Sequence, residues 1–333
     1  MPTLPHDPGM DRRHFLLSSL AGVLAPPLDA AAEAANAVYR VGILAQDIQP
    51  GLLETFHDEL QRRGYIDGKS ITIDIRNADG RNDRLPQLID DLLRLKVNVI
   101  VAVNTPAAKA VQKATRTVAI VIMRVADPVQ AGLVRSLAHP GANVTVVSFM
   151  PDVLGAKAIE ALCQTIPGVS RVAAFYKADN PGALLVVTET ERRSAELGVR
   201  FKRLPVRDPS EFPDAFAAAA RASAQAVFVM DDGAMTKLRG PFLSQATRRS
   251  LPVVSIYKDF AEAGALFAYG PDLDHVYRRA AHDVDRILRG MKPSDLPVEQ
   301  ADTFHFVVNL KTARTLGLTI PPSLLARANQ VID

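Results

Sequence analysis

The chain has no tryptophan and only one cysteine in 333 residues. A single thiol, Cys163, excludes a disulfide framework within one chain and any four-thiolate metal site. Its place inside a helical pattern reads as a small buried hydrophobe. An excess of one charge sign is also missing, with 39 basic against 36 acidic side chains and a net charge of +3. No basic block interleaved with aromatics occurs, so nucleic acid is not an expected partner. Gly/Ser and Gln/Asn tracts are absent, which removes the low-complexity classes. No apolar run reaches the ~18 residues that a membrane-spanning helix needs.

Enzyme motifs are missing too. No two glycines are separated by a single residue, so the G-x-G-x-x-G turn that brings backbone against a pyrophosphate cannot form. The segment Gly64 to Ser70 (GYIDGKS) has three residues between its glycines where a phosphate loop needs four. It also precedes a strand instead of following one, and reads as a helix-to-strand turn. There is no G-x-S-x-G elbow and no H-E-x-x-H pair, and the seven histidines are scattered. No catalytic residue, metal ligand or cofactor is expected, and the chain does not read as an enzyme.

What is present begins with an address. In residues 1–37, Arg12 and Arg13 precede a short apolar stretch from Phe15 to Leu24, then an Ala-rich tract with small-x-small sites. This is the layout of an export signal, of twin-arginine-like type, and it implies a soluble, periplasmic product. With 48% hydrophobic residues, the remainder has ample material for a core.

From Tyr39 onward, strands and helices alternate. Strands are predicted at 39–45, 70–76, 97–103, 119–123 and 143–149. Helices are predicted at 52–63, 85–95, 106–115 and 128–137. A second series follows, with helices at 153–165, 182–197, 209–222 and 234–249, and strands at 171–176, 199–205, 226–230 and 252–256. Regular βα alternation implies α/β architecture with parallel sheets covered on both faces, and two equal series imply two Rossmann-like lobes. The end breaks the pattern with a strand at 266–269, a long amphipathic helix at 273–289 and a strand at 303–309. On that helix Arg278, Arg279, Asp283 and Arg286 read as the wet side. The economical division is an export signal at 1–37, lobe 1 at 38–148 and lobe 2 at 149–269. Residues 270–298 then return to lobe 1, and 299–333 supply a hinge strand and a C-terminal segment on lobe 2. The chain thus crosses three times.

Ligands of open α/β sheets sit at the carboxyl ends of the strands. The groups that follow the predicted strands are Gln46 and Asp47, Asn104 and Thr105, Asp127, Lys177 and Asn180, Asp231 and Asp232, and Tyr257. They are the candidate ligand-binding residues, for a small polar molecule held between two facing sheets. Several have a second reading: Asn104, Asp127 and the Asp231–Asp232 pair also suit helix caps, and the tyrosine suits packing.

The same residues carry a family resemblance. Asn104 to Ala108 (NTPAA), Asp127 to Leu133 (DPVQAGL) and His139 to Thr145 (HPGANVT) form one part of it. Ala268 to Pro271 (AYGP), Leu296 to Gln300 (LPVEQ), Val308 to Ala313 (VNLKTA) and Leu316 to Leu324 (LGLTIPPSL) form the other. From about Tyr39 to the end, the chain resembles the tryptophan/tyrosine-type solute-binding proteins of ABC importers. The resemblance implies a type I periplasmic binding protein fold with a three-crossover hinge. It also implies capture of a small polar or aromatic solute in an interlobe cleft, and an ABC permease in the inner membrane as partner. A monomer is expected. Departures from the family pattern at Val146, Lys177 and 231–233 leave the particular solute open. A ligand sensor that presents to a membrane receptor shares every one of these features, and an exported two-lobed enzyme is the remaining alternative.

Overall fold

The computed structural model describes residues 38–149, 151–230 and 234–333, so the export signal read at 1–37 and the candidates Asp231 and Asp232 lie outside the described residues. Ten strands follow the twofold alternation. The first five are β1 (Tyr39–Ala45), β2 (Ile71–Asn77), β3 (Val99–Val103), β4 (Ala119–Val125) and β5 (Val144–Ser148). The second five are β6 (Arg171–Lys177), β7 (Arg200–Val206), β8 (Ala226–Met230), β9 (Val253–Ser255) and β10 (Phe267–Pro271). Three more, β11 (Glu299–Gln300), β12 (Phe304–Asn309) and β13 (Gln330–Ile332), come from the tail.

They form two sheets, ordered β11-β5-β4-β3-β1-β2 and β13-β12-β10-β9-β8-β6-β7. Each contains the same 2-1-3-4-5 arrangement of its own five strands, and the pairings are parallel except β10 with β12. The reason lies in composition: β3 (VIVAV) and β8 (AVFVM) are buried at every position, which only a sheet covered on both faces allows. At the edge, β2 keeps Ile71 buried and leaves Ile75 exposed.

The chain passes between the sheets three times: after Ser148 at the end of β5, after Pro271 at the end of β10, and between Gln300 of β11 and Phe304 of β12. Residues Tyr39–Asp333 nevertheless pack as one compact unit. The reason is a shared hydrophobic cluster, which takes in Val41, Val101 and Tyr277 beside the first sheet and Val172, Phe228 and Val254 of the second. Two outer cores flank it, one around Leu85, Ile89 and Val111, the other around Phe212, Phe216 and Phe242.

Three sequence readings are corrected. Residues 128–137 form no helix. A single turn closes when Leu133 N–H reaches the Pro128 carbonyl at 2.8 Å and Gly132 N–H reaches that of Val129 at 2.9 Å. With Gly132 at φ +72°, this is a Schellman stop applied one turn in. The helix expected at 234–249 is two, Ala234–Lys237 and Arg239–Thr247, broken at Leu238. On the helix Leu273–Leu288, Asp283 is not on the wet side: it is fully buried, and neither carboxylate oxygen has a hydrogen-bond partner. Burial pushes its carboxyl up to about 7; Glu299 adds to the rise, while Arg286 and Arg279 oppose it.

Candidate functional site

In a 2-1-3-4-5 sheet the strand order reverses between the first and third strands, and their carboxyl ends frame a crevice. Here the two crevices belong to one cavity. From the first sheet its walls are Asn104 and Thr105 after β3, Arg124 and Ala126 at the end of β4, and Phe149 after β5. From the second they are Asn180, Gly182, Ala183 and Val186 after β6, Met230 ending β8, and Tyr257 after β9. The volume between them is about 20 Å³, room for about one water molecule. A larger crevice of about 620 Å³ lies at the rim, between Gln49–Leu52 on one side and Thr236, Lys237 and Lys258 on the other. It is open to solvent, whereas the inner cavity is where the strand ends of both sheets meet.

Asn104 holds φ +76° and ψ 170°, a region that non-glycine residues occupy only under constraint. Three bonds impose it. Its backbone N–H donates to the Met123 carbonyl at 2.9 Å, its Oδ1 accepts from Ala107 N–H at 3.4 Å, and its Nδ2 donates to Gln46 Oε1 at 3.2 Å. From there a chain of amides runs to the other sheet. Gln46 Nε2 donates to Asn82 Oδ1 at 2.8 Å, and Asn82 Nδ2 donates to the Asp179 carbonyl at 2.9 Å. On that second side, Asn180 Oδ1 accepts from Gly182 N–H at 2.9 Å and Ala183 N–H at 3.3 Å, capping the helix Pro181–Ser194.

Other contacts also cross from one sheet's helices to the other's. Gln49 Nε2 donates to Thr236 Oγ1 at 3.0 Å, Lys237 pairs with Asp47, and Lys258 Nζ stands 3.9 Å from Asp274. The Arg124 guanidinium lies over the Tyr257 ring, 5.2 Å from its centre, and the Phe149 ring meets Tyr257 edge-on at 6.3 Å. Behind Arg124 is the hydroxyl of fully buried Tyr277. Burial pushes that phenol up, and the hydrogen bond and charge of Arg124 pull against the rise.

The sequence candidates therefore separate. Asn104, Thr105, Asn180 and Tyr257 line the cavity, and Gln46 stands one hydrogen bond behind it. Asp47 is buried and pairs with Lys237 of the outer crevice, and its Oδ1 accepts from Ile48 N–H at 2.8 Å. Lys177 turns away to the Arg207 carbonyl and stands 3.5 Å from Asp179. Asp127 is exposed and caps its turn through Val129 and Gln130 N–H at 2.9 and 2.8 Å. Arg124, Phe149, Gly182 and Met230 are not among the sequence candidates. Arg124 directly follows the strand predicted at 119–123 but is aimed inward by a bulge, and the others carry no polar signal.

Among the described residues no helix is long and apolar enough to cross a membrane. The fold is the type I periplasmic binding protein arrangement. A curated tyrosine-binding protein of Clostridioides difficile (strain R20291) is 25% identical over 264 residues, 79% of this chain and 75% of that one. The structure of an ABC domain from Streptococcus pneumoniae in complex with L-Trp matches with a TM-score of 0.83 at 26% identity, covering 89% of this chain and 100% of that one. A ligand-free, open substrate binding protein with adhesive properties from Clostridium difficile matches with a TM-score of 0.65 at 24% identity, covering 89% and 99%. Residues 43–332, almost the whole compact unit with both sheets and the cavity between them, match the profile described as ABC transporter substrate binding protein, and the chain belongs to that family.

Proposed function

We propose that this protein works outside the cytoplasmic membrane as a non-enzymatic, monomeric receptor. It closes its two sheets over one small solute, polar or aromatic and of amino-acid size, and presents the closed form to the permease of an ABC importer. The observation that carries this reading is the composition of the cavity wall. Asn104 and Arg124 come from one sheet, Asn180 and Tyr257 from the other, so a solute touches all four only when the sheets are together. Ligand binding then favours closure by the difference in its affinity for the two states.

A volume of about 20 Å³ cannot hold an amino acid, so entry requires the halves to part along the three crossovers, and the loaded closed form stands slightly wider than the arrangement here. The higher likeness to the L-Trp complex than to the ligand-free, open relative supports reading the present arrangement as the closed one. The ligands named for those relatives put aromatic amino acids first among candidate solutes. The Arg12–Arg13 signal pattern supports export, and both walls of the cavity within one chain support action as a monomer.

A thermal-shift screen against amino acids, aromatic acids, nucleosides and small carboxylates tests the reading. A solute at 100 times its dissociation constant adds about 2.7 kcal/mol of stability. A panel that leaves the melting temperature unchanged throughout contradicts it. The absence of tryptophan from the chain lets an indole ligand report by its own fluorescence.

A further inference from the structure

Arg124 departs from its strand. Along β4, Ile120 and Ile122 face the outer core while Val121 and Met123 face the shared one. Strict alternation would return Arg124 to the outer core and Val125 to the shared one. Instead Val125 takes the outer position. The pairing of β4 with β5 shifts register between Met123 and Val125, and Arg124 adopts φ +58°. It is the extra residue of a β-bulge, in a left-handed conformation that a long side chain rarely takes. Bulges of this kind re-aim a side chain beside a functional site. The result is an arginine only 6% exposed, its guanidinium on the cavity wall between the Tyr257 ring and the Tyr277 hydroxyl.

We propose that Arg124 is the specificity-determining residue of the cleft and receives the carboxylate of the solute, so that the protein selects carboxylate-bearing ligands and rejects their decarboxylated counterparts. The inference rests on the solute-capture reading and narrows its substrate class. A bulge, a strained φ and a desolvated cation on one residue are all unfavourable features. A ligand carboxylate gives them a common purpose, because the planar guanidinium fork matches a carboxylate bidentately. Burial in the closed cleft makes that pair stronger than it would be in water. Tyr257 holds the guanidinium from the opposite sheet, so the carboxylate is gripped only in the closed form.

Calorimetric titration of the purified protein with two matched pairs, L-tyrosine with tyramine and L-tryptophan with tryptamine, tests the assignment. In the wild type, the acid of at least one pair binds roughly 10- to 100-fold more tightly than its amine. In Arg124→Gln the acid weakens by a similar factor and the preference within the pair disappears. Arg124→Lys, which keeps the charge and loses the fork, falls between. A wild type that binds acid and amine equally overturns the assignment and leaves solute capture standing. So does an acid preference that survives in both variants. If Arg124 only latched the sheets together, acids and amines would weaken by the same factor, which also overturns it. A wild type that binds none of the four contradicts the aromatic amino-acid reading as well, and takes this inference with it.

Discussion

A Cβ placed on Gly182 would stand 2.3 Å from Thr105 Oγ1 and 3.0 Å from Thr105 Cβ. Gly182 opens the helix after β6 in the second sheet, and Thr105 opens the helix after β3 in the first, so one missing methyl group sets how closely the two halves approach. Gly182→Ala is expected to hold the cleft ajar. Solute affinity should fall roughly tenfold or more while the unliganded protein keeps its fold, since 1.4 kcal/mol of strain in the closed state is a factor of about ten. Titration calorimetry checks this, and Thr105→Ala in the same chain should recover part of the loss. Unchanged affinity in Gly182→Ala would mean the helices have room to spare.

Tyr257 meets Arg124 with its face and packs in a T-shaped pair with Phe149. Such contacts contribute about 0.5–2 kcal/mol for the cation and about 0.5–1.5 kcal/mol for the ring pair. Tyr257→Leu should therefore lower the free energy of urea unfolding by about 1–3 kcal/mol, and Tyr257→Phe, which keeps the ring, by clearly less. Equal losses in the two variants would show that the hydroxyl, not the ring, carries the contribution.

The amide chain from Asn104 through Gln46 and Asn82 ends on the Asp179 carbonyl. Its last link is the one that crosses between the sheets. Asn82→Ala removes it at a half-exposed position, so global stability should change by less than about 1 kcal/mol while solute dissociation accelerates several-fold. Stopped-flow release of a bound indole ligand measures the rate. An unchanged rate would make the crossing bond a bystander.

Asp283 makes a pH prediction. Its carboxyl is raised to about 7 by burial, with Glu299 adding to the effect. The folded chain therefore keeps this proton over a range in which the unfolded chain, with an ordinary aspartate near 4, has lost it. The associated stability is complete below about pH 4 and declines as pH rises through about 7. Asp283→Asn cancels that decline. At pH 8 the variant should be more stable than the wild type, by on the order of 2–4 kcal/mol, and the gap should close toward pH 4. Paired urea melts across pH 4–8 test it; parallel curves would mean that Asp283 is ionised in the folded protein throughout.

The sequence pattern locates most elements because parallel strands buried on both faces leave short, uninterrupted apolar runs. Tyr39–Ala45 and Ala226–Met230 appear in the structure with the same bounds that the pattern predicts. It fails where one residue stops a periodic segment early, as Gly132 does after Asp127, and where a helix is only five residues long, as at Lys258–Glu262. In the cavity, the strand-end rule reaches Asn104, Thr105, Asn180 and Tyr257 because polar residues there interrupt apolar runs. Arg124 directly follows the strand predicted at 119–123, yet only Asp127 of that loop stands among the candidates, because the inward aim of Arg124 depends on a bulge. Gly182 is hidden for another reason: its importance is a distance to Thr105, 77 positions away in the chain. Asp283 looks like one more charge on a polar helix face until the packing of that helix on the first sheet is known.

Small-angle scattering on the protein, alone and saturated with the panel compound that raises its melting temperature most, addresses the hinged trap most directly. The ligand-free curve should be the more expanded. The saturated one should contract toward the dimensions of the arrangement described above, with the cleft shut on the solute between Arg124 and Tyr257. Superimposable curves with bound solute would contradict a cleft that opens and shuts.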